Sequence, residues 1–180
     1  GQPTSVPTLA TECTFGKYYV GGTGGKNFNG QCTNCAAGKY QPSNTNKLGV
    51  ESCLDCAAGK FGGSAGLRIC TDCAIGTVAA TDGLTSCTSC EPGTFAIEGS
   101  SVCSNCQPGT YQDLSTQGDC KLCDAGKFAA GEAEVGCALC IKTEYQDAVG
   151  QPECIRCPGG RVANQDGADN LDLCISPATN

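Results

Sequence analysis

The chain has 180 residues with 18 cysteines, a net charge of -7 and no histidine. Leu, Ile, Val and Phe together number 29, too few to bury the apolar surface an uncrosslinked domain needs, so without covalent staples the composition reads as disordered. Lysines and arginines scattered singly through an acidic chain exclude the basic face of a nucleic-acid binder. The missing histidine removes the commonest general base and the usual partner of a nucleophilic serine or cysteine, so no catalytic residue is assigned.

Residues 1–12 form a tail in which Thr4, Ser5, Thr8 and Thr11 stand beside Pro3 and Pro7, the Ser/Thr/Pro character of an O-glycosylated segment. Residues 175–180, with Ser176, Pro177 and Thr179, have the same character. No Asn-x-Ser/Thr sequon occurs, so N-glycosylation is not expected. No stretch approaches the roughly 18 apolar residues of a membrane span, and the chain reads as a processed or excerpted piece of a secreted protein.

Between the tails, residues 13–174 are a tandem array. Lone Cys13 is followed by eight Cys-x-x-Cys pairs, Cys32/Cys35, Cys53/Cys56, Cys70/Cys73, Cys87/Cys90, Cys103/Cys106, Cys120/Cys123, Cys137/Cys140 and Cys154/Cys157, and then by lone Cys174. The lone cysteines place the unit boundary inside each pair. Nine units result, Cys13 to Cys32, Cys35 to Cys53, Cys56 to Cys70, Cys73 to Cys87, Cys90 to Cys103, Cys106 to Cys120, Cys123 to Cys137, Cys140 to Cys154 and Cys157 to Cys174, each with its two cysteines as partners. Sequence alone does not strictly fix connectivity, but pairing within each Cys-x-x-Cys would leave Cys13 and Cys174 to meet across the whole array. A disulfide closing about 15 residues contributes roughly 3 kcal/mol in the chain-entropy model, so nine of them replace a packed core.

Four-cysteine zinc sites would strand Cys13 and Cys174, which obey the same repeat grammar as the rest, so disulfides are preferred to zinc. Thioredoxin-like exchange lacks its βαβ context. Cysteine at this density places the protein in an oxidising compartment, extracellular or at the cell surface. Asp166, Asp169, Asn170 and Asp172 offer hard oxygen ligands in the last unit, yet not at EF-hand spacing, and no metal or cofactor is assigned.

Three residues after the opening cysteine stands glycine in eight units, Gly16, Gly38, Gly59, Gly76, Gly93, Gly109, Gly126 and Gly160, with Thr143 the exception. A tight turn with positive φ is expected there. Two residues on comes a ring or valine: Tyr18, Tyr40, Phe61, Val78, Phe95, Tyr111, Phe128, Tyr145 and Val162. These rings are expected to stack on disulfides as the core. A second glycine, Gly49, Gly66, Gly83, Gly99 or Gly150, lies four residues before the closing cysteine and reads as a hairpin corner. Lys17, Lys39, Lys60, Lys127 and Arg161 follow the first glycine and form at most an interrupted basic stripe, broken by Thr77, Thr94 and Thr110.

This Cys-x-x-Gly-x-Tyr/Phe pattern, closed by a turn and Cys-x-x-Cys over residues 13–174, resembles the ephrin-receptor-like cysteine-rich repeat and the single-disulfide module of tumour-necrosis-factor-receptor-type domains. The resemblance implies a small disulfide-rich fold, mostly β-hairpin and irregular, whose nine modules stack into an elongated solenoid-like rod. It is specific for fold and weak for activity, since such repeats serve in receptors, adhesins and surface coats.

The first two units and the last are longer than those between, as atypical end units of an array often are. The first also holds Phe15, Tyr19 and Phe28 outside the ring position, beside a glycine-rich run, and reads as a candidate contact surface. The expected function is structural and not enzymatic: an extracellular subunit that self-assembles end to end through its end units and tails into a homopolymeric fibril, surface hair or coat, with glycans as possible attachments. The alternative is the stalk or ligand-binding ectodomain of a receptor or adhesin.

Overall fold

A computed structural model of the chain describes residues 13–20, 31–42 and 53–176. These residues form nine antiparallel two-stranded hairpins and two short 3-10 turns, Pro158–Gly160 and Leu171–Leu173. Nine disulfides close nine tandem modules, numbered here in chain order from Cys13–Cys32 to Cys157–Cys174, with Cα–Cα separations from 5.5 to 5.8 Å. No described cysteine is free. The fold is a disulfide-rich β-hairpin repeat.

Each module opens with a turn. The amide after the turn glycine donates to the carbonyl three residues back, as in Lys60 to Ala57 at 2.9 Å and Thr110 to Gln107 at 2.9 Å. Gly59 and Gly109, the third residues of these turns, both have φ +85. A positive φ there makes a type II turn, and Pro92 and Pro108 supply the φ that its second position prefers.

The strand leaving the turn is two residues long in modules 2 to 9. In modules 2 to 8 its partner is the pair of residues inside the following Cys-x-x-Cys, so that Lys60↔Asp72 and Phe61↔Thr71 face each other, as do Thr110↔Leu122 and Tyr111↔Lys121, whereas in module 9 Val162 and Ala163 pair with Ile175 and Cys174. In module 1 the strands are longer, Lys17–Val20 with Gln31–Asn34. The spacing of the cysteine pairs has a mechanical reason: its two inner residues complete one hairpin, and the next cysteine begins the next module. That cysteine's amide donates to the preceding turn residue's carbonyl throughout, from Cys35 to Gly16 at 2.8 Å through Cys123 to Gly109 at 3.0 Å.

The chain divides into two compact units, Gly1–Cys73 with Ala79–Cys87, and Ala74–Val78 with Thr88–Asn180. In the second, backbone bonds join each module to the next in both directions. Gly109 donates to Ala129 at 2.8 Å, Gln112 to Glu134 at 3.0 Å, and Ala133 back to Cys106 at 2.9 Å. The first unit repeats the pattern: Gly38 donates to Gly62 at 2.8 Å, Gln41 to Leu67 at 2.9 Å, and Gly66 back to Cys35 at 2.8 Å.

The turn glycine has a second reason to be glycine. A Cβ on Gly109 would lie 2.1 Å from the carbonyl oxygen of Gly150, which belongs to the next module but one, and a Cβ on Gly38 would lie 2.1 Å from that of Gly83. Only a residue without a side chain lets these backbones meet. In module 8 the place belongs to Thr143, which stays out of the left-handed region, and nothing described lies within 4 Å of the position of a Cβ on Gly160 in module 9.

The corner glycines Gly66, Gly83, Gly99 and Gly150 all have positive φ, from 70 to 80. Gly49 lies outside the described residues. Modules 6 and 7 put Thr116 at φ 62 and Ala133 at φ 57 in the same place, strained conformations for residues with a Cβ.

The expected aromatic core is corrected by the structure. Described rings at the ring position are half-buried, whereas the fully buried residues are the opening cysteines, alanines such as Ala79, Ala96 and Ala163, and Gln112. In modules 2 to 9 the position immediately after the ring takes alanine, glycine or glutamine, and this position is the interior. Gln112 uses its full side chain there: Nε2 donates to the Asp119 carbonyl at 2.8 Å and Oε1 accepts from the Leu114 amide at 3.2 Å. Gln146 does the same with Glu153 and Ala148. No buried side-chain nitrogen or oxygen among the described residues lacks a partner, as so polar an interior requires.

Candidate binding surface

With cystine, alanine and backbone filling the interior, the remaining side chains face outward, and the repeat sets them in register. Lys39 reaches Asp55 directly across its hairpin at 2.6 Å, and Lys60 reaches Asp72 in the same way one module later. In module 7 Lys127 turns instead to Asp124, 3.2 Å away on its own turn. Lys39, Lys60 and Lys127 are therefore matched by carboxylates and do not form a bare basic stripe. Where threonine replaces lysine, the hydroxyl donates back to the first carbonyl of the turn, from Thr77 to Ala74 at 2.8 Å and from Thr94 to Glu91 at 2.7 Å.

Two open grooves follow from this register. In the first unit a groove of about 390 Å3 is lined by Tyr40, Ala57, Lys60, Ile69, Cys70 and Asp72. In the second, one of about 230 Å3 is lined by Tyr111, Asp113, Asp124, Lys127, Val135, Gly136 and Cys137. They are built from equivalent positions: the ring of one module, then the turn, the residue after its glycine and the closing segment of the next.

Around Tyr111 the polar groups are held firmly. Lys121 lies 5.7 Å from the ring centroid and reaches Asp113 at 2.5 Å. The hydrogen bond from Lys121 holds the Asp113 carboxyl below the usual carboxylate range, and the same bond raises the Lys121 ammonium above its ordinary value. Both groups are exposed, so the pair contributes little to stability. Its effect is to fix where a donor and an acceptor stand beside the ring.

The sequence-nominated contact residues are only partly placed. Phe15 is exposed with the Arg68 guanidinium 4.1 Å above its ring, a cation–π contact between modules 1 and 3. Tyr19 pairs across the hairpin with Cys32, and Phe28 lies outside the described residues. Of the candidate O-glycosylation residues, Ser176 is exposed, while Thr4, Ser5, Thr8, Thr11 and Thr179 lie outside the described residues. Asp169 accepts from Asn170 at 2.9 Å, and no group of three or more His, Cys, Asp or Glu among the described residues is arranged to hold a metal ion. No described helix is long and apolar enough to cross a membrane.

Sequence reading missed the grooves because they join positions from two successive modules. The signal was present: an acid at the second inner position of the cysteine pair in Asp55 and Asp72, opposite a lysine.

Residues 93–133 and 126–174 match the model of a family described as tyrosine-protein kinase ephrin type A/B receptor-like. No curated protein matches the chain.

Proposed function

We propose, on the premise that residues 93–174 are the ephrin-receptor-like cysteine-rich repeats they match, that this protein is an extracellular, non-enzymatic recognition ectodomain. The observation that carries this reading is the separation of framework from display. Buried positions hold cystine, glycine, alanine and glutamine, whereas ring, post-glycine and inner-pair positions vary from module to module and line open grooves. A framework fixed by disulfides and backbone bonds tolerates such variation, as repeat scaffolds do.

A second reading rests on a different observation. Ile69, Ile97 and Val102 are each at least 65 % exposed. Singly exposed apolar residues are ordinary, but a subunit of a fibril, surface hair or coat would bury many of them at contacts between copies. The tails at 1–12 and 175–180 and the enlarged first module would then make the joints, with glycans on the tail hydroxyls.

Electron microscopy of the unreduced protein over a range of concentrations separates the two. Isolated particles at every concentration support the ectodomain. Regular filaments would overturn it in favour of the structural subunit, and a variant lacking residues 1–12 would then fail to polymerise if the tail makes the joint.

A further inference from the structure

The ring of one module and the residue after the next module's turn glycine vary together along the chain. After Tyr18, Tyr40, Tyr111 and Tyr145 the next module carries Lys39, Lys60, Lys127 and Arg161. After Phe61, Val78, Phe95 and Phe128 it carries Thr77, Thr94, Thr110 and Glu144. A phenol is thus always followed by a cation, and an apolar side chain at the ring position never is. Both grooves fall on tyrosine steps, Tyr40 with Lys60 and Tyr111 with Lys127. Packing alone gives no reason for this coupling, since phenylalanine and threonine fill the same places within the same hairpin geometry.

We propose that the tyrosine steps are binding sites for neutral saccharide chains, a deepening that rests on the recognition reading above. The half-buried tyrosine offers a flat apolar face to the C–H face of a pyranose ring, with its hydroxyl at the rim. Beside it stands a lysine already matched by a carboxylate, Lys60 by Asp72 and Lys127 by Asp124. The pair has no net charge with which to attract an anion. It does present a donor and an acceptor side by side, the pattern that adjacent sugar hydroxyls, each able to donate and accept, satisfy.

The grooves are open and lie at or below the low end of the roughly 300–1,000 Å3 typical of small-molecule pockets. Each therefore takes one or two residues of a longer chain at weak affinity, and repetition along the array raises the effective affinity for a polymer.

The test uses the full, disulfide-intact chain and a panel of immobilised neutral β-glucans, mannans and galactans, with dextran sulfate and an acidic peptide alongside. Titration of a hit's soluble oligosaccharide, followed through tyrosine fluorescence, gives the affinity. The chain is expected to bind at least one neutral glycan, and the fourfold variant Tyr40→Phe, Lys60→Thr, Tyr111→Phe, Lys127→Thr is expected to weaken that binding about tenfold. Its new residues already occupy the same positions in other modules, so it keeps the fold. The single change Ile97→Ser, outside both grooves, is expected to leave binding unaltered.

Silence from every neutral glycan, binding only to dextran sulfate or the peptide, or equal binding by the fourfold variant would each overturn the proposal. Filaments that bind a neutral glycan through these residues would remove the ectodomain reading and keep the grooves. Isolated particles that ignore glycans would do the reverse.

Discussion

Modules 5 to 7 and modules 8 and 9 carry the same motif, yet they treat the turn position differently. Gly93, Gly109 and Gly126 each stand so close to a backbone carbonyl two modules on, that of Ala133, Gly150 and Gly167, that a Cβ would fall between 2.1 and 2.3 Å from its oxygen. Thr143 replaces glycine in module 8, and Gly160 in module 9 keeps a φ of +69 with no described neighbour within 4 Å of a Cβ. The difference separates two demands that sequence runs together. A turn position at positive φ prefers glycine for its conformation, whereas close approach by another module requires glycine for its missing side chain.

The largest expected effect breaks this comparison directly. Gly109→Ala meets both demands and is expected to cost about 4 kcal/mol, from backbone strain and overpacking together. Gly160→Ala meets only the first and is expected to cost about 1 kcal/mol. Hydrogen exchange at the Cys123 and Gly150 amides, which hold module 7 to its neighbours, reads the local loss. Equal protection in the two variants would mean that φ alone explains the glycine.

A smaller effect of opposite sign sharpens the contrast with the corners. Thr116 and Ala133 sit at positive φ where other modules use glycine. Thr116→Gly and Ala133→Gly should each stabilise the chain by about 1 kcal/mol, by relieving that strain. The readout is the thermal midpoint of the unreduced protein, and a fall in both variants would show that the side chains contribute more than the strain removes.

The smallest effect concerns the surface pair beside Tyr111. The lowered Asp113 value contributes stability that is present above the ordinary carboxylate range and lost as pH falls through the lowered value. The raised Lys121 value contributes stability that is present below the ordinary lysine value and lost as pH rises through the raised one. Between these limits the pair stays intact, so it adds no slope between about pH 5 and 9. Lys121→Gln should leave the thermal midpoint nearly unchanged throughout that window, because the pair is solvent-exposed. A larger or strongly pH-dependent shift there would mean that the pair is more than a surface ornament to the groove.

The repeat was legible because cysteine is a covalent signal: eight pairs and two lone residues arrange themselves into nine tandem modules without reference to packing. The turn was legible because glycine after Pro92 and Pro108 marks a type II turn locally. The interior was not. Tyr111 and Phe128 read as core from their regularity, but a module closed by one disulfide has too little volume to enclose a ring, so the interior fell to Ala96, Ala129 and Gln112. Nor did sequence distinguish Thr116 from a corner glycine, because nothing in a threonine announces a φ of 62.

Sequence by itself determined what is local and covalent: the nine-module count, the oxidising setting and the register in which residues recur. Tertiary structure decided everything that depends on one module meeting another. It chose which glycines must lack a side chain, buried alanine and glutamine instead of rings, matched lysines with carboxylates and joined one module's tyrosine to the next module's ion pair in a groove. Such contacts depend on distances between backbones, and a repeat period specifies their recurrence without specifying how close they come.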